Sequence, residues 1–135
     1  MTVSPQLGVS FSHRHAAWLG LDPRETLRAL LAEVGVRSLR LSLYWDEIAP
    51  EPARLTFDPV HPWLDLAAAY GARVTISLGL KAQRHPEFYP PQWLRETAPP
   101  PGAALDHQPR LVTLLLLMLE RATAFLADYD VIEAW

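Results

Sequence analysis

The sequence predicts an α/β chain of the TIM-barrel type, with parallel strands and covering helices amounting to about three and a half βα units, that is, a partial barrel. Three observations carry this. Strand-like and helix-like segments alternate, which implies a parallel sheet. Two of the βα units repeat at a fixed offset. The strand-like segments are apolar on alternate residues only, whereas parallel strands buried on both faces read as continuous apolar runs. A barrel whose inward face approaches a polar site at its strand ends fits one-sided strands better than a doubly wound sheet does.

The first strand is predicted over residues 7–12, where Leu7, Val9 and Phe11 alternate with Gly8, Ser10 and Ser12. Asp22-Pro23 then marks a helix start: an aspartate side chain accepts orphan backbone N–H groups, and proline at the first helical position gives up no bond it would have made. Glu25 is placed for a capping box. Gly35, thirteen residues after the aspartate, suits the left-handed conformation that ends a helix. The second strand, residues 38–43, alternates Leu39, Leu41 and Leu43 with Arg40, Ser42 and Tyr44. Asp58-Pro59 and Gly71 repeat the helix signals, and the Asp, Gly and Arg of the two units (Arg37 and Arg73) are each offset by 36 residues. The third strand, residues 74–78, sets Val74, Ile76 and Leu78 against Thr75 and Ser77. Proline is about twice as frequent as usual, and seven of the 13 prolines lie between Pro86 and Pro109, marking one long irregular segment. A third helix follows over residues 109–127, with Leu111, Leu114, Leu115 and Met118 at core spacing. Residues 130–135 form a fourth strand in which Glu133 shares a register with Val131 and Trp135.

Composition narrows the function classes. Half of the 135 residues are hydrophobic and 20% are charged, which suits a core-forming chain of one domain or less. A formal charge of −3 supplies no cationic footprint for nucleic acid or an anionic membrane. The longest apolar run, Leu114 to Leu119, falls far short of the ~20 residues that span a bilayer. With no cysteine there is no disulfide framework, thiolate nucleophile or cysteine-held metal. The start, MTVSPQLG, lacks a basic region followed by an apolar stretch, so a cytoplasmic chain is expected.

In parallel α/β folds the site is built from the loops at the strands' C-terminal ends. After the first strand, Ser12-His13-Arg14-His15 offers two imidazoles that either bind a divalent metal together or act separately, one bonded to substrate or backbone and one in solvent. In the second strand, an inward guanidinium at Arg40 requires a carboxylate partner. Glu133 is one candidate, and a helix-facing salt bridge is its other reading. Trp45 reads either as core or as a platform for a sugar ring. Asp46 and Glu47 are too close together to form an opposed catalytic pair, and read as a solvated loop with some capping value. The densest cluster follows the third strand, where Lys81, Gln83, Arg84, His85, Glu87 and three aromatics crowd a proline-stiffened loop suited to a preformed polar pocket. No phosphate-binding glycine loop or nucleophile elbow is present.

The stretch Val36-Arg37-Ser38-Leu39-Arg40-Leu41-Ser42-Leu43-Tyr44-Trp45-Asp46-Glu47-Ile48, followed by Pro50-Glu51-Pro52 and Thr56-Phe57-Asp58, resembles the second-strand region of clan A glycoside hydrolases, the cellulase and β-galactosidase type of barrel. The likeness extends through Leu64-Asp65-Leu66-Ala67, Tyr70-Gly71-Ala72-Arg73-Val74, the Lys81, Arg84, Pro86-Glu87 and Pro91-Gln92-Trp93 loop, and Ile132 to Trp135. Ala53 stands where glycine is usual, and His85 where tryptophan is expected. The resemblance implies that residues 1–135 are the N-terminal part of a single (β/α)8 glycosidase domain acting on β-linked sugars with retention, through two glutamates. In this clan the acid/base follows an asparagine at the end of the fourth strand and the nucleophile ends the seventh, so neither is expected in this chain. Glu133 is not the acid/base. Arg40 would orient the nucleophile, and Trp45, Lys81, Arg84 and Glu87 would shape the substrate pocket. His13 and Trp135, at strand ends, are further candidates for substrate binding. No cofactor is implied. The chain by itself is expected to be inactive and to self-associate through open barrel edges. The alternatives are a metal-dependent amidohydrolase-like barrel using His13 and His15, and a non-catalytic half-barrel completed by dimerisation.

Overall fold

A computed structural model describes residues 7–84, 87–100 and 102–135, so His85 and Pro86 of the third-strand loop lie outside the described residues. The chain runs β1 (Val9–Ser10), α1 (His13–Trp18), α2 (Pro23–Ala32), β2 (Ser38–Ser42), α3 (Trp45–Ile48), α4 (His61–Ala69), β3 (Arg73–Ser77), a 3-10 turn (Gln92–Leu94), α5 (Pro109–Leu126) and β4 (Ile132–Ala134). The strands form one parallel sheet in sequence order, β1-β2-β3-β4. The expected alternation of strand and helix is thus present, as one layer of sheet and one of helices.

The one-sided strand pattern accounts for the layering. Leu39, Leu41, Val74 and Ile76 are buried, and they pack with Leu27 and Leu31 of α2, Leu64 and Ala67 of α4, and Leu111, Met118, Ala122 and Leu126 of α5. Each fully buried leucine contributes about 1.5–3 kcal/mol relative to exposure. The residues between them behave differently: Ser10, Arg40 and Arg73 are exposed, and Ser38, Ser42, Thr75 and Ser77 are half-buried. One face of the sheet is therefore covered and the other is polar and open, as in a barrel sector seen from its lumen.

The helix signals act unequally. Asp22 caps α2 as expected, its Oδ1 accepting the Glu25 N–H at 2.8 Å. The Glu25 carboxylate does not close a capping box; it accepts from Arg28 Nε at 2.9 Å instead. The Asp58-Pro59 signal is displaced. Here α4 starts at His61, capped by Val60 with no side-chain bond, and Pro62 is the proline of its first turn. The cause is a tertiary anchor: Phe57 stacks on Phe125 of α5 at 4.2 Å and 5°, and its carbonyl accepts the Val60 N–H at 2.9 Å, so a tight turn occupies residues 57–60. His61 completes this contact through a hydrogen bond with the Tyr129 hydroxyl. Gly35 and Gly71 take positive φ (79° and 64°) as the helix-ending role requires.

The outer strands are shorter than their sequence patterns. β1 covers two residues because Ser12 already caps α1, its Oγ accepting the His15 N–H at 3.1 Å, while Phe11 N–H still donates to the Arg40 carbonyl at 2.9 Å. β4 covers three residues and its register slips between Val74 and Thr75 of β3. Among the described residues, no helix is long and apolar enough to cross a membrane.

Candidate active site at the strand ends

The C-terminal ends of β1, β2 and β3 converge on a buried hydrogen-bonded core. Ser12, the cap of α1, donates from Oγ to Glu87 Oε1 at 2.7 Å. Tyr44, directly after β2, has its hydroxyl 2.7 Å from Ser12 Oγ and donates to Glu87 Oε1 at 3.2 Å. Burial raises the Tyr44 phenol far above its ordinary value, so at neutral pH it is a neutral donor. Glu87 reaches this position because the loop after β3 turns back on itself: Glu87 N–H donates to the Arg84 carbonyl at 2.8 Å, and Ala82 N–H to the Glu87 carbonyl at 3.0 Å. Gln83 ties that loop to the sheet, its Nε2 donating to the Phe11 carbonyl at 2.7 Å and its backbone N–H to Ser42 Oγ at 3.2 Å.

Around this core runs an ionic rim. Arg14 donates from Nε to Glu47 Oε1 at 2.9 Å and from its terminal nitrogen to Asp46 Oδ1 at 2.7 Å. Its guanidinium also lies 4.5 Å from the Tyr44 ring centroid and 4.2 Å from that of Tyr89, two cation–π contacts. His13 Nε2 is 2.8 Å from the same Glu47 oxygen, and its ring stacks on Trp63 of α4 at 4.8 Å. Burial alone would raise Glu47, but hydrogen bonds and charges from His13 and Arg14 hold it below the ordinary carboxylate value. Asp46 goes the other way, since burial outweighs Arg14 and pushes it up.

Two buried acceptors, Glu87 Oε2 and Gln83 Oε1, have no partner among the described residues. A buried acceptor left without a donor costs about 1–3 kcal/mol, and Glu87 is only 8% exposed.

The comparisons with known proteins bear on what such a rim belongs to. No family model and no curated protein matches the sequence. Solved structures do match. The chain is similar to an exo-β-1,4-mannosidase, Op5Man5, from Opitutaceae bacterium strain TAV5 at 18% identity and TM-score 0.66, over 92% of this chain and 22% of that one. It is similar to a GH5_18 protein from Streptomyces cattleya in complex with GlcNAc at 23% identity and TM-score 0.66, over 96% and 32%. A GH5_18 structure from Bifidobacterium longum matches at 16% identity and TM-score 0.64, over 93% and 31%. The fold is that of part of a family 5 glycoside hydrolase barrel. The chain spans between 22% and 32% of the length of these barrels.

Within this partial barrel the expected site residues separate into groups. His13 and Glu87 both contact Tyr44, the imidazole against its ring and the carboxylate at its hydroxyl. Arg84 is half-buried in the same loop, while Lys81 is exposed and its backbone bridges to Phe88. Arg40 stands lower, exposed on the lumen face in a groove with Gly8, Ser10, Ser38 and Thr75, and it has no ion pair among the described residues. Glu133 does not meet it; its Oε2 lies 3.8 Å from Arg73 Nε. Trp45, 3% exposed, is part of the core. Trp135 is 59% exposed beyond β4. His13 and His15 fall on one helix two residues apart, where side chains point away from each other; His15 stacks on Trp18, and no metal-holding group of three His, Asp or Glu residues forms among the described residues.

Ser12, Arg14 and Tyr44 carry no role in the sequence reading, Asp46 and Glu47 read there as a solvated loop, and Gln83 is named only as a member of the third-strand cluster. The available signal was the run Ser-x-x-His after a strand, a serine cap in front of a short helix.

Proposed function

We propose that this chain is the segment of a retaining glycoside hydrolase that carries part of its sugar-binding wall, acting on β1,4-linked mannosides. The observation that carries the proposal is the Glu87 carboxylate, buried at the strand ends with one oxygen satisfied by Ser12 and Tyr44 and the other open to a donor. A sugar hydroxyl is that donor in this reading, with Gln83 Oε1 accepting a second. Arg40 on the lumen face orients the nucleophile. Lys81, Arg84, His13 and Trp135 complete the wall, and Trp45 supports the second loop from within the core. The substrate class draws on the structural neighbours, of which one is an exo-β-1,4-mannosidase and two are complexes with Manβ1-4GlcNAc.

The chemistry needs two carboxyls about 5–5.5 Å apart, one as acid/base and one as nucleophile. The chain's own rim carboxylates are engaged otherwise: Glu47 and Asp46 with Arg14 and His13, and Glu87 with Ser12 and Tyr44. The 135 residues contain no asparagine, hence no Asn-Glu pair. The catalytic glutamates are therefore assigned outside these residues, the acid/base just after the fourth strand and the nucleophile at the end of the seventh. The test is twofold. Reading the codons beyond Trp135 should give Asn-Glu within about ten positions, and the protein so encoded should hydrolyse 4-nitrophenyl β-mannoside, with Arg40→Ala about 10²-fold slower in kcat. The 135-residue chain alone should show no turnover. Turnover by that chain, or a reading frame without the Asn-Glu pair, overturns the proposal.

A further inference from the structure

A second concavity lies where the segment after β2 and Trp93 of the loop after β3 meet α5. It encloses about 190 Å³ and is walled by Trp45, Trp93, Leu117 and Met118, with Arg54 and Arg121 also lining it. Its apolar walls are held in place. Trp45 and Met118 belong to the buried core, and the Trp93 indole N–H donates to the Ala49 carbonyl at 2.8 Å. That bond uses the only donor of the indole, so the cavity gains no polar group from it. Leu117, 48% exposed on α5, forms the open side of the cavity.

The two arginines are the other half of the observation. Neither Arg54 nor Arg121 is in an ion pair with any described residue. Glu51, the nearest acidic residue in sequence to Arg54, meets it through the backbone: Arg54 N–H donates to the Glu51 carbonyl at 3.2 Å. Two guanidiniums beside an apolar cavity are complementary to a ligand with an apolar body and a planar anionic head, because a carboxylate accepts the parallel N–H bonds of a guanidinium fork. Size narrows the class. An apolar cavity of about 150 Å³ holds one benzene ring, so this one takes a single six-membered ring and a head of a few atoms. A free sugar fits poorly, since its hydroxyls would face Leu117 and Met118 without partners.

We propose that this cavity binds a small aryl carboxylate, at a site separate from the strand-end rim. The site needs no catalytic glutamate and is independent of the glycosidase reading. The test is a titration of the 135-residue chain with phenylacetate, followed by tryptophan fluorescence and by backbone amide shifts, with phenylacetamide as the neutral control. Saturable binding at around 1 mM is expected, with shifts at residues 54, 93, 117 and 121. The amide should bind about tenfold more weakly, as should phenylacetate to Arg121→Gln, and binding should weaken as salt rises from about 20 to 300 mM. Leu117→Glu, which places an anion at the mouth, should abolish it. Arg54→Gln, in an exposed turn, serves where Arg121→Gln fails to fold by circular dichroism. No saturation below about 10 mM, equal binding of acid and amide, or shifts confined to the strand-end rim overturns the proposal.

Discussion

Arg14 organises the strand-end rim because its guanidinium meets two carboxylates and two aromatic rings at once. Five fixed donors and a flat face make arginine suited to this, whereas lysine would satisfy one carboxylate at a time. The consequence shows in the two acids. Glu47, held below the ordinary carboxylate value by His13 and Arg14 against the effect of burial, binds fewer protons in the folded state than in the unfolded one. Its contribution is therefore present above the unfolded value and lost as pH falls through the lowered one. Asp46, pushed up by burial, works in the opposite sense: its contribution is lost as pH rises through the carboxylate range. Glu47→Gln should cost about 1–3 kcal/mol at neutral pH and flatten the fall of Tm between about pH 5 and 3. Asp46→Asn should make that fall steeper. Thermal melts across this range check both, and an acid branch unchanged in Glu47→Gln would count against the role given to its ion pairs. In the sequence, Asp46 and Glu47 read as a solvated loop because the partner that buries them lies 32 to 33 positions earlier, and local spacing carries no information about so distant a contact.

At the scale of elements, two similar signals have different outcomes. Asp22-Pro23 and Asp58-Pro59 present the same dipeptide at the same offset from a glycine, yet only Asp22 accepts a backbone N–H at a helix start. The difference is Phe57, whose stacking on Phe125 of α5 fixes the turn before α4 and delays the helix to His61. Asp22→Ala should accordingly destabilise the chain by about 0.5–2 kcal/mol, while Asp58→Ala should leave it within about 0.5 kcal/mol of the parent. Urea unfolding of the pair measures this, and equal losses would mean that Asp58 caps after all. The strands were legible as strands because period-two alternation is local. Their ends were not, because β1 gives way to the Ser12 cap and β4 depends on pairing with β3. The helices α1 and α3, six and four residues long, carry no periodic helix signal in the sequence. Helices this short have no repeat by which a 3.6-residue period is recognised.

For the molecule as a whole, among the described residues the sheet is open at β1 and β4 and bare on its lumen face, where Arg40 and Ser10 are exposed. Unpaired strand edges are templates for pairing with another chain, and a half-covered sheet leaves an uncovered surface to bury. The 135-residue chain should therefore associate, with a light-scattering mass above 15.2 kDa that rises with concentration. A monomer with a cooperative melt at all concentrations would show that the open sheet is stable without a partner. Alternation, helix caps and one-sided strands by themselves determined the parallel α/β sector, its helix-covered face and its polar face, since each depends on residues within a few positions of one another. Only the tertiary structure decided that Glu87 is drawn beneath Ser12 and Tyr44, that Arg14 bridges the first two strand ends, and that Trp45 is core while Glu133 faces Arg73. These outcomes depend on which distant side chains share a buried space, and the free energies of burial and pairing are set by that space rather than by spacing along the chain.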